Sequence, residues 1–243
     1  YFKDLYIAGD QNFQGTLKVT GQGAVELGKP SNLDFSENDS SFLFGYDVGK
    51  NGTIRNTNNR DVTYIGYKTG HNSTIYAQYN TFIGSHTGNN NTGASLTDPG
   101  EEFNEITNPY NTEGTRNTYI GYSAGSSGTI CQSSVCVGHV AGGFLTGSYN
   151  TSIGTSAGYG SSDGSSGHSG NYNVYLGYNT QSRGGDNNLF AGSNAGKLST
   201  SNNAVFLGFN SGLNSSGNGN VYIGYDSGYT TTTSLYNVLI GYE

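Results

Sequence analysis

The sequence predicts an all-β fold, a parallel β-solenoid wound in coils of about 16 residues. Three observations predict it. A phrase of a β-favouring triplet, a Gly, and a small-residue turn closed by a second Gly recurs along most of the 243 residues. Its anchor glycines, Gly45 to Gly241, are 21, 18, 37, 17, 16, 23, 15, 16, 16 and 17 residues apart. That period is too short for a helix pair and suits one turn of a β-coil. The composition agrees, with 40 Gly, 20 Tyr and 11 Phe but only 3 Pro and no Trp or Met. A disordered chain lacks aromatic and β-branched residues, and the glycines show no collagen period.

Residues 1 to 30 differ from the rest. Leu5-Tyr-Ile-Ala-Gly, Gly15-Thr-Leu-Lys-Val-Thr-Gly21 and Gly23-Ala-Val-Glu-Leu-Gly28 alternate apolar and polar residues and end on Gly. They read as a short β stalk leading into a repeat region over 31–243. The phrases there run from Phe42-Leu-Phe-Gly45 through Thr63-Tyr-Ile-Gly66 and Thr118-Tyr-Ile-Gly121 to Val221-Tyr-Ile-Gly224.

Residues two apart on a strand share a face. The first and third residues of each triplet, such as Thr63 with Ile65 and Val221 with Ile223, form one aliphatic and β-branched ladder. That ladder is expected to line the inside of the coil. The middle residues, among them Tyr64, Phe82, Tyr119, Tyr175, Phe206 and Tyr222, then face outward, where a thin coil cannot cover them. Another copy of the chain is the expected cover, and an open stacking ladder for sugar rings is the alternative. Ice binding by a Thr array is set aside because the Thr residues are read as inward-facing. The glycines bracket tight corners, and Asn-rich links such as Asn187-Asn188 and Asn218-Gly-Asn220 make the return turns, with Asn side chains able to bond up the stack.

Two insertions break the period, at 89–116 and at 159–172. Insertions in solenoids project from one face and often carry binding. The first holds carboxylates Asp98, Glu101, Glu102 and Glu105 beside Phe103 and Tyr110, a candidate binding loop. Oxygen ligands there leave Ca²⁺ open as a ligand, although no resident cofactor is expected.

Catalytic chemistry is not indicated. Four histidines, His71, His86, His139 and His168, lie in turns or links without metal-ligand spacing, and no Ser occupies a nucleophile elbow. Cys131 and Cys136 are too few for a zinc site, and Cys136 reads as a buried thiol. With 11% charged residues and a net charge of −7, the chain has no basic footprint for nucleic acid. No apolar run approaches the length of a membrane-spanning helix.

The phrase Asn117-Thr-Tyr-Ile-Gly-Tyr-Ser-Ala-Gly125 resembles the head repeats of YadA-like trimeric autotransporter adhesins. It is closer still to the Tyr-Ile-Gly-Tyr repeats of phage tail fibres and large bacterial surface proteins, and the likeness covers about residues 42–242. The resemblance implies a left-handed parallel β-roll and a homotrimer, whose interface would hold Tyr64, Phe82, Tyr119, Tyr175, Phe206 and Tyr222. It also implies a structural and receptor-binding fibre segment, in a virion tail or a related injection machine, that attaches to a cell-surface glycan or protein. The alternative is a bacterial surface adhesin head or extracellular filament subunit. The departure from the adhesin pattern is an aromatic residue where those heads usually carry Ala.

Overall fold

A computed structural model describes residues 42–48, 62–73, 79–91, 114–126, 131–160, 170–181, 183–230 and 232–243. The expected stalk over 1–30 lies outside them, as do residues 92–113 and 161–169 of the two insertions. Eleven three-residue strands run in chain order: β1 (Phe42–Phe44), β2 (Thr63–Ile65), β3 (Thr81–Ile83), β4 (Thr118–Ile120), β5 (Val135–Val137), β6 (Thr151–Ile153), β7 (Val174–Leu176), β8 (Leu189–Ala191), β9 (Val205–Leu207), β10 (Val221–Ile223) and β11 (Val238–Ile240). They form one parallel sheet in which each strand pairs only with its sequence neighbours. Among the described residues there is no helix. This is a β-solenoid, with every strand ending at its anchor glycine as the phrase predicts.

The register is strict. Thr63 lies opposite Thr81, Thr81 opposite Thr118, and Val205 opposite Val221. The insertions leave the ladder unbroken, since β3 pairs β4 and β6 pairs β7 as closely as any other neighbours. Parallel hydrogen bonding continues past the strands into the corner. The amide of Gly66 donates to the Phe44 carbonyl at 2.8 Å, that of Lys68 to Tyr46 at 2.9 Å, and that of Gly70 to Thr87 at 2.9 Å.

Inside and outside are the reverse of the expectation. The middle residues of the strands point into the coil: Tyr64, Phe82, Tyr119, Cys136, Ser152, Phe190, Phe206 and Tyr222 are fully buried, and Tyr175 is 1% exposed. The first and third residues, Thr63 and Ile65 for example, face outward and are half-buried or exposed. The six rings assigned to an interface between copies are therefore enclosed by a single chain. Apolar residues on both faces of a three-residue strand provide no hydrophobic contrast from which to choose the inner one.

The second glycine of each phrase decides the matter. It lies six residues after the middle residue and takes φ near 60°. A Cβ on Gly70 would stand 2.5 Å from the Tyr64 ring, and on Gly212 2.4 Å from that of Phe206. Every ring but Tyr175 thus lies flat on the bare backbone of its own corner. Consecutive rings also stack on each other: Tyr64 on Phe82 at 4.7 Å, Phe82 on Tyr119 at 4.9 Å, Phe190 on Phe206 at 4.6 Å and Phe206 on Tyr222 at 5.0 Å, all within 6° of parallel. Such pairs add about 0.5–1.5 kcal/mol beyond area burial.

Two small residues, Cys136 and Ser152, interrupt this ring column and divide the core into two clusters. Leu145 is buried in the first of them. Tyr175, just beyond the gap, is tilted 56° from Phe190. Its coil carries Gln181 where the others described carry the second Gly, and its ring leans to within 3.0 Å of the Cβ position of Gly158, above Ser152.

A second inner column precedes the strands and is polar. Asn188 shows its logic: its Oδ1 accepts from the Ala204 amide at 2.9 Å and its Nδ2 donates to the Ser201 carbonyl at 2.8 Å. Asn80, Asn117, Asn150, Asn173 and Asn220 repeat the arrangement. An unmet buried polar group costs about 1–3 kcal/mol, so this ladder spares each return turn two such penalties. The expected Asn stacking is present, and much of it lies inside the coil.

Candidate functional site: the outer sheet face

The outer face of the sheet is a regularly organised surface among the described residues. Its first column reads Thr63, Thr81, Thr118, Val135 and Thr151, then Val174, Leu189, Val205, Val221 and Val238. Its third reads Ile65, Ile83, Ile120, Val137, Ile153, Leu176, Ala191, Leu207, Ile223 and Ile240. Several remain well exposed, with Ile120 at 37%, Ile153 at 44% and Leu176 at 36%. These side chains occupy the outer face because the rings take the inner one, and strand alternation leaves no other choice.

An aromatic column runs beside this ladder, one residue past the anchor glycine: Tyr46, Tyr67, Tyr122, Tyr178, Phe209, Tyr225 and Tyr242, all exposed. Tyr46 stacks on Tyr67 at 5.8 Å, Phe209 on Tyr225 at 5.1 Å and Tyr225 on Tyr242 at 5.2 Å. Where rings stack along the column, they cover one another's faces and leave their edges to solvent. A sugar ring needs an open aromatic face, so this geometry disfavours a stacking platform for glycans. The opposite flank carries Tyr79, Tyr149, Tyr172 and Tyr236, with Tyr149 stacked on Tyr172 at 4.8 Å.

The turn that carries the aromatic column is built by backbone conformation. The anchor glycines adopt φ near 130–140°, open only to Gly, and the residue two later adopts φ near 55°. A Cβ on Gly208 would stand 2.2 Å from the Gly224 carbonyl oxygen. On the C-terminal coils the left-handed position holds Asn or Asp, which tolerate it. There Asn179 donates to Asn194 at 3.0 Å, Asn194 to Asn210 at 3.1 Å, and Asn210 to the Asp226 carboxylate at 2.9 Å.

Charge is sparse on this face. Lys68 stands 5.4 Å from the Tyr67 ring and Arg116 5.7 Å from that of Tyr79. Cys131 and Cys136 are free and buried, as expected for Cys136. Burial pushes the Cys131 thiol up to about 12 and raises Cys136 further, so both stay protonated at neutral pH. The Cys131 thiol is further engaged, donating to the Leu145 carbonyl at 2.8 Å. Among the described residues no group of His, Cys, Asp and Glu could hold a metal ion, and no helix is long and apolar enough to cross a membrane.

The binding-loop residues Asp98, Glu101, Glu102, Phe103, Glu105 and Tyr110 lie outside the described residues. The loop's ends, Asn91 and Gly114, meet at the coil, where Asn91 Nδ2 donates to the Gly114 carbonyl at 2.7 Å. Sequence reasoning missed both the outward ladder and the aromatic column. The six-residue interval from each ring to its Gly was the available signal. These features define a class, a parallel β-solenoid repeat protein with an apolar outer sheet face. Comparison with family models, curated proteins and solved structures yields no match to this chain.

Proposed function

We propose that this chain is a structural, non-catalytic fibre segment whose copies pack side by side through the outer sheet face, as a homotrimer of left-handed coils. The observation that carries the proposal is the continuous outward aliphatic ladder from Ile65 to Ile240. Nine strand spacings of about 4.8 Å, and five residues of about 3.3 Å across, give a strip of roughly 700 Å². A stable interface needs about 800 Å² per partner, and an open apolar strip of this size is rare on a monomer.

Light scattering is expected to report three chains for the unaltered protein. The double variant Leu207→Asp, Ile223→Asp, changed only on the outer face, is expected to give single chains with an unaltered circular dichroism spectrum. An unaltered protein that runs as one chain would overturn the proposal.

The role we assign to such a fibre is attachment to a cell surface, in a phage tail fibre or related injection machine. An extracellular bacterial adhesin is the alternative. Recognition is placed on the insertion after β3, because coil positions are dictated by stacking whereas the insertion leaves the ladder undisturbed. Three copies of a weak contact would gain avidity. Replacing residues 92–113 by a short Gly-Ser link is expected to leave the melting temperature within a few degrees and to abolish most cell binding. Full binding after that replacement would move the contact elsewhere.

A second reading has one observation in its favour. Thr63, Thr81, Thr118 and Thr151 face outward at the strand spacing, which removes the reason for setting aside an ice-ordering surface. Val135 interrupts that array and Val or Leu replaces it from β7 onward. Aliphatic packing therefore accounts for more of the face.

A further inference from the structure

We propose that His86 and His139 make the side-by-side association sensitive to pH, holding copies together while neutral and releasing them as the imidazoles gain protons. The inference rests on the self-association proposed above. His139 occupies the position one past its anchor glycine, where seven of the other ten coils carry Tyr or Phe and the rest Ser or Thr. His86 comes one residue later in its coil, yet its ring turns into the same column, 5.2 Å from Tyr67 and 5.8 Å from Tyr122. Tyr122 in turn stacks on His139 at 5.3 Å and 9°. The column Tyr46, Tyr67, His86, Tyr122, His139 is thus continuous over β1 to β5, and imidazole is the side-chain type in it that commonly serves as a proton-sensitive group.

Among the described residues, their surroundings offer little to balance an added charge. Nδ1 of His86 lies 2.8 Å from the Ser85 hydroxyl. Beneath it is Lys68, itself a cation, and above it Ser123, whose amide donates to the Ser85 carbonyl. His139 is flanked by Val140 and by Ser156 of the next coil, whose amide donates to the His139 carbonyl. The other charged residues described between 42 and 160 are Arg116, on the opposite flank, and Asp47, on the first coil. Asp47 is the one carboxylate among those described residues.

In a single chain His139 is exposed and His86 half-buried, so water can solvate the imidazolium. Against a second copy that solvation is lost, and rotational symmetry repeats each charge in every copy. Protons therefore bind the separated chains more tightly, and by linkage a falling pH favours separation. Each imidazole kept neutral by the interface weakens association up to tenfold per pH unit below its titration.

The test measures the concentration midpoint of dissociation by sedimentation at pH 8 and pH 5, with circular dichroism confirming the fold. The unaltered protein is expected to dissociate at least tenfold more readily at pH 5. His86→Gln with His139→Tyr, the latter restoring the column's usual residue, is expected to remove most of that difference. His86→Gln with His139→Gln serves as a second variant should the first misfold. A chain already single at pH 8 refutes self-association and the switch with it. An equal midpoint at both pH values overturns the switch and leaves self-association standing. A variant lacking His86 and His139, with His71 and His168 retained, that still dissociates at pH 5 overturns the assignment to these two residues.

Discussion

Gly208→Ala is expected to unfold the coils around β9 and β10. The new methyl group would stand 2.2 Å from the Gly224 carbonyl oxygen, and Gly208 sits at φ 133°, which L-residues rarely adopt. A strained backbone costs about 1–3 kcal/mol and overpacking a similar amount, so the loss is about 2–6 kcal/mol. Relief is hindered, because the obstructing atom belongs to the backbone of the next coil and not to the end of a flexible side chain. Chemical denaturation followed by circular dichroism would measure this. A variant within 1 kcal/mol of the parent would show that neighbouring coils can separate to admit a side chain.

Phe206→Ala is the second large effect. The ring is fully buried, stacked on Phe190 at 4.6 Å and Tyr222 at 5.0 Å, and lies against Gly212. Removing a buried aromatic ring costs about 3–5 kcal/mol, and rings held by backbone on one side cannot close the cavity. The same substitution distinguishes the two accounts of this residue. Were the ring at an interface between copies, its loss would yield folded single chains. Because it lies inside the coil, the chain should instead lose stability at every protein concentration. Denaturation midpoints at two concentrations a hundredfold apart provide the measurement.

Much of the fold was legible because its determinants are local. The triplets mark the strands, the anchor glycines end them, and the fixed spacing puts Thr63 opposite Thr81 and Val205 opposite Val221. Even the insertions were legible, as extra residues between phrases that remained intact. The facing of the strands was not. β-branched residues suggested an interior, yet the coil reserves its interior for rings that can lie on a glycine. Tyr64 also carries a hydroxyl that is buried without a hydrogen-bond partner among the described residues, which its aromatic character alone did not indicate. The candidate site moved with that reversal. Residues read as core, such as Ile120 and Ile153, became its surface, and those read as surface became core.

Each strand touches only the strand before and the strand after it. Length in such a molecule is therefore countable. Duplicating one phrase of about 16 residues, from Asn188 to Asn203 for instance, inserts a coil whose glycines, rings and Asn bonds find the same partners above and below. The molecule becomes longer by one strand spacing of about 4.8 Å, and every other coil keeps its contacts. Genetic recombination between repeats can thus reset the length of such a solenoid in fixed increments, leaving the remaining coils unchanged.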